Sequence, residues 1–225
     1  MNLAPGPRRD LVRALASEIL HNYGHGRTLI AVDGADGSGT KQFADDLAEL
    51  FRFFGHAAFR ASINDFYRTW SERDGHGRDT GASYYHDTID YSLLRRVLID
   101  PYRMGGSTGF VTAGFDRMSN TGFEPTWESG PPDAVLIVDG VFLNRPEMRG
   151  LWHYSLLLQV PDEVAFARLD AASPGDGSAP AAVSNAALRE AQELYVAESS
   201  PEAAAMALID NSDPRHPRRV FADTC

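Results

Sequence analysis

Apolar positions along the chain switch between helical spacing and unbroken runs. Leu11, Ala14, Leu15 and Ile19 fall at helical spacing, which predicts a helix over 10–23 capped by Asp10 and closed by Gly24-His25-Gly26. Residues 28–33 are apolar almost throughout, the mark of a strand covered on both faces in a parallel sheet. Helical spacing returns at Phe43, Leu47, Leu50, Phe51 and Phe54, and Gly55 stops that helix. Residues 57–61 predict a second strand. Leu93, Leu94, Val97 and Leu98 predict a helix over 89–99 that ends at Asp100-Pro101. Further strands are predicted at 134–138, 153–160 and 206–209, and a strand or hairpin at 108–115. Helices are predicted at 146–151, 162–172 and 185–198, the last capped by Asn185, with a turn of helix opened by Pro201. Alternation of strands and helices gives a doubly wound α/β sheet with helices on both faces. At 225 residues it is read as a single domain, with a loose lead-in at 1–9, a flexible segment at 173–184 and a polar tail at 215–225.

Composition narrows the function classes. Hydrophobic residues make up 43%, enough for a globular core. The net charge of −10 argues against broad nucleic-acid or anionic-membrane binding. The only cysteine, Cys225, forbids an intramolecular disulfide, which fits a reducing, cytoplasmic setting. No apolar run approaches the ~20 residues that span a bilayer, and the amino terminus lacks the apolar core of a signal peptide. The seven histidines show no metal-ligand spacing.

Chemistry concentrates in Gly34 to Gln42, GADGSGTKQ, between a predicted strand and a predicted helix. Inward-facing backbone N–H groups and a helix N-terminus make such a turn a phosphate cradle. Gly34 and Gly39 have the separation of G-x-x-x-x-G-K-[ST], but Thr40 stands where lysine is expected and Lys41 where a hydroxyl is expected. Asp139 ends an apolar strand, where it either organises Mg²⁺ or caps the following turn. Asn64 and Asp65 lie just past the second strand, where Asp65 either orients an acceptor hydroxyl or forms an Asx-turn. Arg117, Arg168 and Arg189 are candidate cations for a transferring phosphoryl group, or else surface arginines.

With these residues in place, the chain resembles the uridine kinase family of P-loop nucleoside kinases. The resemblance lies in IAVDGADGSGTKQFADDLA, INDFYR, YYHDTIDYSLLRRVLIDP, FVTAGFDR, AVLIVDGVFLNRPEMRGLW and LIDNSDP, collinear from Thr28 to Pro214. It implies a three-layer P-loop NTPase-like fold with a five-stranded parallel sheet and a small lid, often in a homo-oligomer. It implies transfer of the γ-phosphoryl of ATP or GTP, with Mg²⁺, to a hydroxyl of uridine, cytidine or a similar small molecule. Nucleotide contacts fall on Asp36, Gly37, Ser38, Gly39, Thr40, Lys41 and Gln42, and on Asn211 and Asp213 beside the base. Catalytic positions fall on Asn64, Asp65 and Lys41, the metal carboxylate on Asp139, and the substrate side on Tyr84, Tyr85, Asp87, Phe110, Arg117 and Arg168.

The chain departs from the family pattern at three places. The loop lysine becomes Thr40 with Lys41 at the Mg²⁺-binding hydroxyl, the catalytic aspartate becomes Asn64, and residues 173–184 contain no lysine or arginine. This is a degenerate Walker A loop beside an amide in place of a base. Three readings stand: a nucleoside kinase-like phosphotransferase; a P-loop protein that binds a nucleotide or phosphometabolite without transfer; or different chemistry in the same crevice.

Overall fold

The computed structural model describes residues 3–73, 80–116, 120–122, 124–172 and 183–221. Helix α1 spans Pro7–Tyr23, β1 Thr28–Gly34, α2 Thr40–Phe53 and β2 Ala58–Ser62. A 3₁₀ turn, Ile63–Phe66, follows β2. Then come α3 (Gly81–His86), α4 (Tyr91–Leu94), a π turn (Arg95–Ile99) and α5 (Asp100–Met104). Two small antiparallel pairs follow, β3 (Phe110–Val111) with β6 (Trp127–Glu128) and β4 (Phe115–Asp116) with β5 (Thr121–Gly122). The chain continues through β7 (Val135–Gly140), β8 (Tyr154–Gln159), α6 (Asp162–Ala172), α7 (Asn185–Ser199), α8 (Pro201–Ala204), β9 (Ala207–Asp210) and β10 (Arg218–Val220).

The main sheet has the order β10-β9-β8-β1-β7-β2. Five of these strands are parallel, and β10 joins β9 antiparallel. Because side chains alternate across a strand, the sheet feeds two cores. Ile30, Val32, Val135 and Ile137 pack with α1 and α2 through Val12, Leu15, Phe43, Leu47 and Phe51. Leu29, Ala31, Leu136 and Val138 pack with α3, α5 and α7 through Tyr85, Tyr102 and Tyr195. These are the three layers expected. No helix among the described residues is long and apolar enough to cross a membrane.

Four expectations need correction. The lead-in at 1–9 is ordered from Pro7, which takes the first helical position, where its missing N–H costs nothing. Arg8 on that turn donates to Asp46 Oδ2 at 2.6 Å and to the Pro214 carbonyl at 3.0 Å. Pro101 does not stop its helix; the wide π turn before it pairs Asp100 N–H with the Arg95 carbonyl, and α5 runs on to Met104. The polar tail supplies β10, fixed by Arg218 to Asp210 at 2.8 Å and by Arg219 to Glu18 at 2.6 Å. The cap of α7 is Ser184, whose hydroxyl accepts from Ala187 N–H at 3.2 Å, one residue before the Asn185 expected. Of the segment read as a lid, 173–182 lie outside the described residues, as does Arg117.

Candidate anion-binding and acceptor site

The carboxyl ends of β1, β2 and β7 converge because β1 and β2 both pair in parallel with β7. In open α/β sheets ligands bind at that end. From β1 the chain turns through Ala35 to Gly39 and enters α2. Gly37 and Gly39 have φ of +80° and +89°, the left-handed region that side chains other than glycine's resist. Gly39 caps α2 without a side-chain hydrogen bond, and no acidic residue occupies the first turn. The first intrahelical bond of this end runs from Phe43 N–H to the Gly39 carbonyl. The earlier N–H groups lack intrahelical partners and, with the positive end of the helix dipole, suit an anion. Ser38 Oγ adds a fully buried hydroxyl with no hydrogen-bond partner among the described residues.

The loop is held by residues distant in sequence. Asn211 Nδ2 donates to the Ser38 carbonyl at 2.7 Å. Arg168, on α6, donates to the carbonyl of Gly37 at 3.2 Å and to those of Asn211 and Ser212 at 2.9 Å. The structure thus brings Arg168 to the loop, with its guanidinium spent on backbone oxygens. Asp213 is exposed and paired with His216 at 2.8 Å. Burial does not trap Lys41 or Gln42; both are exposed, and Gln42 donates to Asp46 at 3.1 Å.

On the acceptor side, Asn64 and Asp65 lie in the 3₁₀ turn after β2, capped by Ser62. Tyr67 donates its hydroxyl to Asn64 Oδ1 at 2.6 Å and lies 3.3 Å from the Tyr84 hydroxyl. Tyr84 in turn donates to Asp36 Oδ2 at 2.8 Å. A hydrogen-bonded chain therefore runs from the Asn64 amide to the glycine-rich loop. Burial, reinforced by the Asp36 charge, pushes the Tyr84 phenol well above its ordinary range, so it stays a donor. Asp65 holds the small β4 region through its carbonyl, which accepts from Gly114 N–H at 2.9 Å.

Three other substrate-side candidates lie elsewhere. Tyr85 bonds Ser199 at 3.1 Å and stacks its ring 4.1 Å from the Arg145 guanidinium. Phe110 packs against Phe59 and Tyr102 and beside Arg27, just before β1, away from the carboxyl ends. Asp87 is buried beyond α3, at its C-cap.

Asp139 is not an open metal ligand. The Arg60 guanidinium bridges its carboxylate and that of Asp45. Burial pushes the Asp139 carboxyl up, while the Arg60 charge pulls it back. Arg60 lies two residues before Ser62, the register partner of Asp139, so its side chain reaches along the strand to the carboxylate. The residues present fit a phosphate in the loop. They do not fit the Mg²⁺ that the family resemblance implies: the loop offers an ammonium in place of a hydroxyl, and the strand-end carboxylate already holds a cation.

Sequence reasoning missed a second polar cluster. Asp33, fully buried on β1, accepts from the Tyr195 hydroxyl and from Asn144 Nδ2 at 2.7 Å and N–H at 3.1 Å. Burial pushes its carboxyl up against those hydrogen bonds. A lone acid in the apolar run of β1 was the available signal.

No protein-family model matches the chain, and no curated protein sequence matches it. Solved structures do. A possible uridine kinase from Bacillus stearothermophilus is 21% identical with a TM-score of 0.69, over 89% of this chain and 97% of that one. A protein provisionally named a fructose transport system kinase, from Silicibacter sp. TM1040, is 22% identical with a TM-score of 0.64, over 84% and 95%. At these identities the likeness speaks for the fold, and the chain has the three-layer α/β fold of P-loop kinases.

Proposed function

We propose that this chain binds the phosphate groups of a nucleotide, ATP or GTP, or of a phosphorylated small molecule, on Gly34–Gln42, without carrying out efficient phosphoryl transfer. The observation that carries this reading is the state of the acceptor side. The group at the base position is the Asn64 amide, already engaged by Tyr67. An amide cannot take a proton from an acceptor hydroxyl, and a positioned acid–base group is worth ~10²–10⁴-fold in rate. Thr40 is too short to reach between two phosphates, and Lys41 leaves the helix about 100° further round. The glycine conformations and the first-turn N–H groups that lack intrahelical partners support an anion site.

The second reading is a small-molecule phosphotransferase, with nucleosides as the substrate class, in which Asp65 serves as base and Lys41 as the phosphate cation. It is favoured by the place of Asp65, beside Asn64 on the same turn after β2.

One assay separates the two. The native chain is given ATP or GTP, Mg²⁺ and a panel of nucleosides, beside a Thr40→Lys, Lys41→Thr, Asn64→Asp triple variant. The binding reading expects no turnover by the native chain above background, together with measurable nucleotide affinity by calorimetry. Turnover by the native chain at ordinary kinase rates would overturn it in favour of the second reading.

A further inference from the structure

Two cations lie near the strand-end carboxylate of Asp139, Arg60 and Lys41. Arg60 lies between the buried carboxylate of Asp139, whose side chain is 4% exposed, and that of Asp45, which is 51% exposed. The same guanidinium lies 3.4 Å from the Lys41 carbonyl, which ties it to the first turn of α2. Lys41 carries its own charge from that turn, close enough to act on Asp139. Two carboxylates neutralise Arg60, so a bound phosphate chain at the loop would meet the Lys41 ammonium. A hydrated divalent ion would have to displace Arg60 from a buried, charge-assisted pair to reach Asp139.

We propose that the loop takes its phosphate ligand without a divalent cation, because Arg60 already fills the Asp139–Asp45 carboxylate pair that a metal would use, and Lys41 supplies the positive charge on the first turn of α2. This inference rests on the phosphate-binding reading above. The ligand class that follows is the metal-free polyphosphate. Magnesium, by pre-neutralising that ligand, competes with Lys41 for it.

The test is calorimetric titration of the native chain with ATP, and with GTP in parallel, in excess EDTA and in excess Mg²⁺. The expected result is binding in EDTA as tight as, or tighter than, in Mg²⁺. Lys41→Thr and Arg60→Ala should each weaken metal-free binding by about tenfold or more, equivalent to ~1.4 kcal/mol. Both should bind more tightly in Mg²⁺ than in EDTA, because the freed hydroxyl or carboxylate can then take a metal. Arg60→Ala also leaves a buried acid uncompensated; Lys41→Thr changes an exposed side chain, so a folding failure of the first leaves the second decisive. Native affinity that falls about tenfold on removing Mg²⁺ overturns the inference and leaves the phosphate-binding reading standing. No heat and no affinity in either condition overturns both.

Discussion

A Gly37→Ala protein is expected to lose at least about tenfold in ATP affinity and to melt earlier than the native chain. Two separate effects act at this position. Its φ of +80° lies in the left-handed region, where a Cβ costs roughly 1–2 kcal/mol. The same Cβ would also fall on the Ala165 carbonyl of α6, which is backbone and cannot rotate aside. Relief requires the loop to move off α6, and with it the Gly37 carbonyl that Arg168 holds. Asn211 on Ser38 would be strained by the same movement. Gly55→Ala is the natural control, since it shares the positive φ but has open space around it. Calorimetry and a thermal melt read both quantities. A Gly37→Ala chain with native affinity and native melting temperature would show that the loop is not held against α6.

Truncation of Asp33 has the other large expected effect, on stability. Asp33→Ala removes the acceptor for the Tyr195 hydroxyl and for Asn144 Nδ2, both buried. Each buried donor left without a partner costs roughly 1–3 kcal/mol. In a chain of this size each kcal/mol is worth roughly 2–4 °C in melting temperature. The expected drop is therefore several degrees, with α7 loosened first because Tyr195 is its anchor. The pH dependence runs in a definite direction. Burial raises the folded carboxyl above its ordinary 3.8, so the folded state holds this proton more tightly than the unfolded chain. The stabilisation linked to that proton is complete below 3.8 and is lost as pH rises through the folded value. Asp33→Asn keeps one acceptor oxygen for the same donors and does not titrate. Its stability profile should lack the decline expected of the native chain above 3.8. Parallel profiles for the two proteins would place the titration on another group.

The sheet and the phosphate loop were legible because their signals are local. Strand β1, the glycines at 34, 37 and 39, and the apolar face of α2 all lie within one stretch of chain. So were β7 and β8, as continuous apolar runs. Strand β10 was not, since Arg218 and Arg219 read as a solvated tail; it forms because each arginine meets an acid on another element. The continuation past Pro101 was hidden because it depends on a π turn, which no pattern of apolar residues marks. Within the site, Asn64 and Lys41 were visible as departures from a motif. The engagement of Asp139 by Arg60 was not, because it joins neighbouring strands far apart in sequence. The same holds for Asp33 with Asn144 and Tyr195: the lone acid in β1 could have been noticed, but only the fold brings its two partners to it.

The position of β1 in the middle of the sheet also bears on how the chain is made. Its hydrogen-bonding partners on either side are β7 and β8: Thr28 pairs with Val135 and Ile30 with Tyr154. A ribosome therefore releases the phosphate loop and its helix long before either flanking strand exists. Closing loops of that length must precede any reward from the pairing, a cost that grows with the logarithm of length. Until residue 159 has left the exit tunnel, the apolar run 28–33 has no native partner on one side. In the cell, the segment with the most telling chemistry is thus the one that waits longest as an uncovered strand, a natural client for chaperones during synthesis.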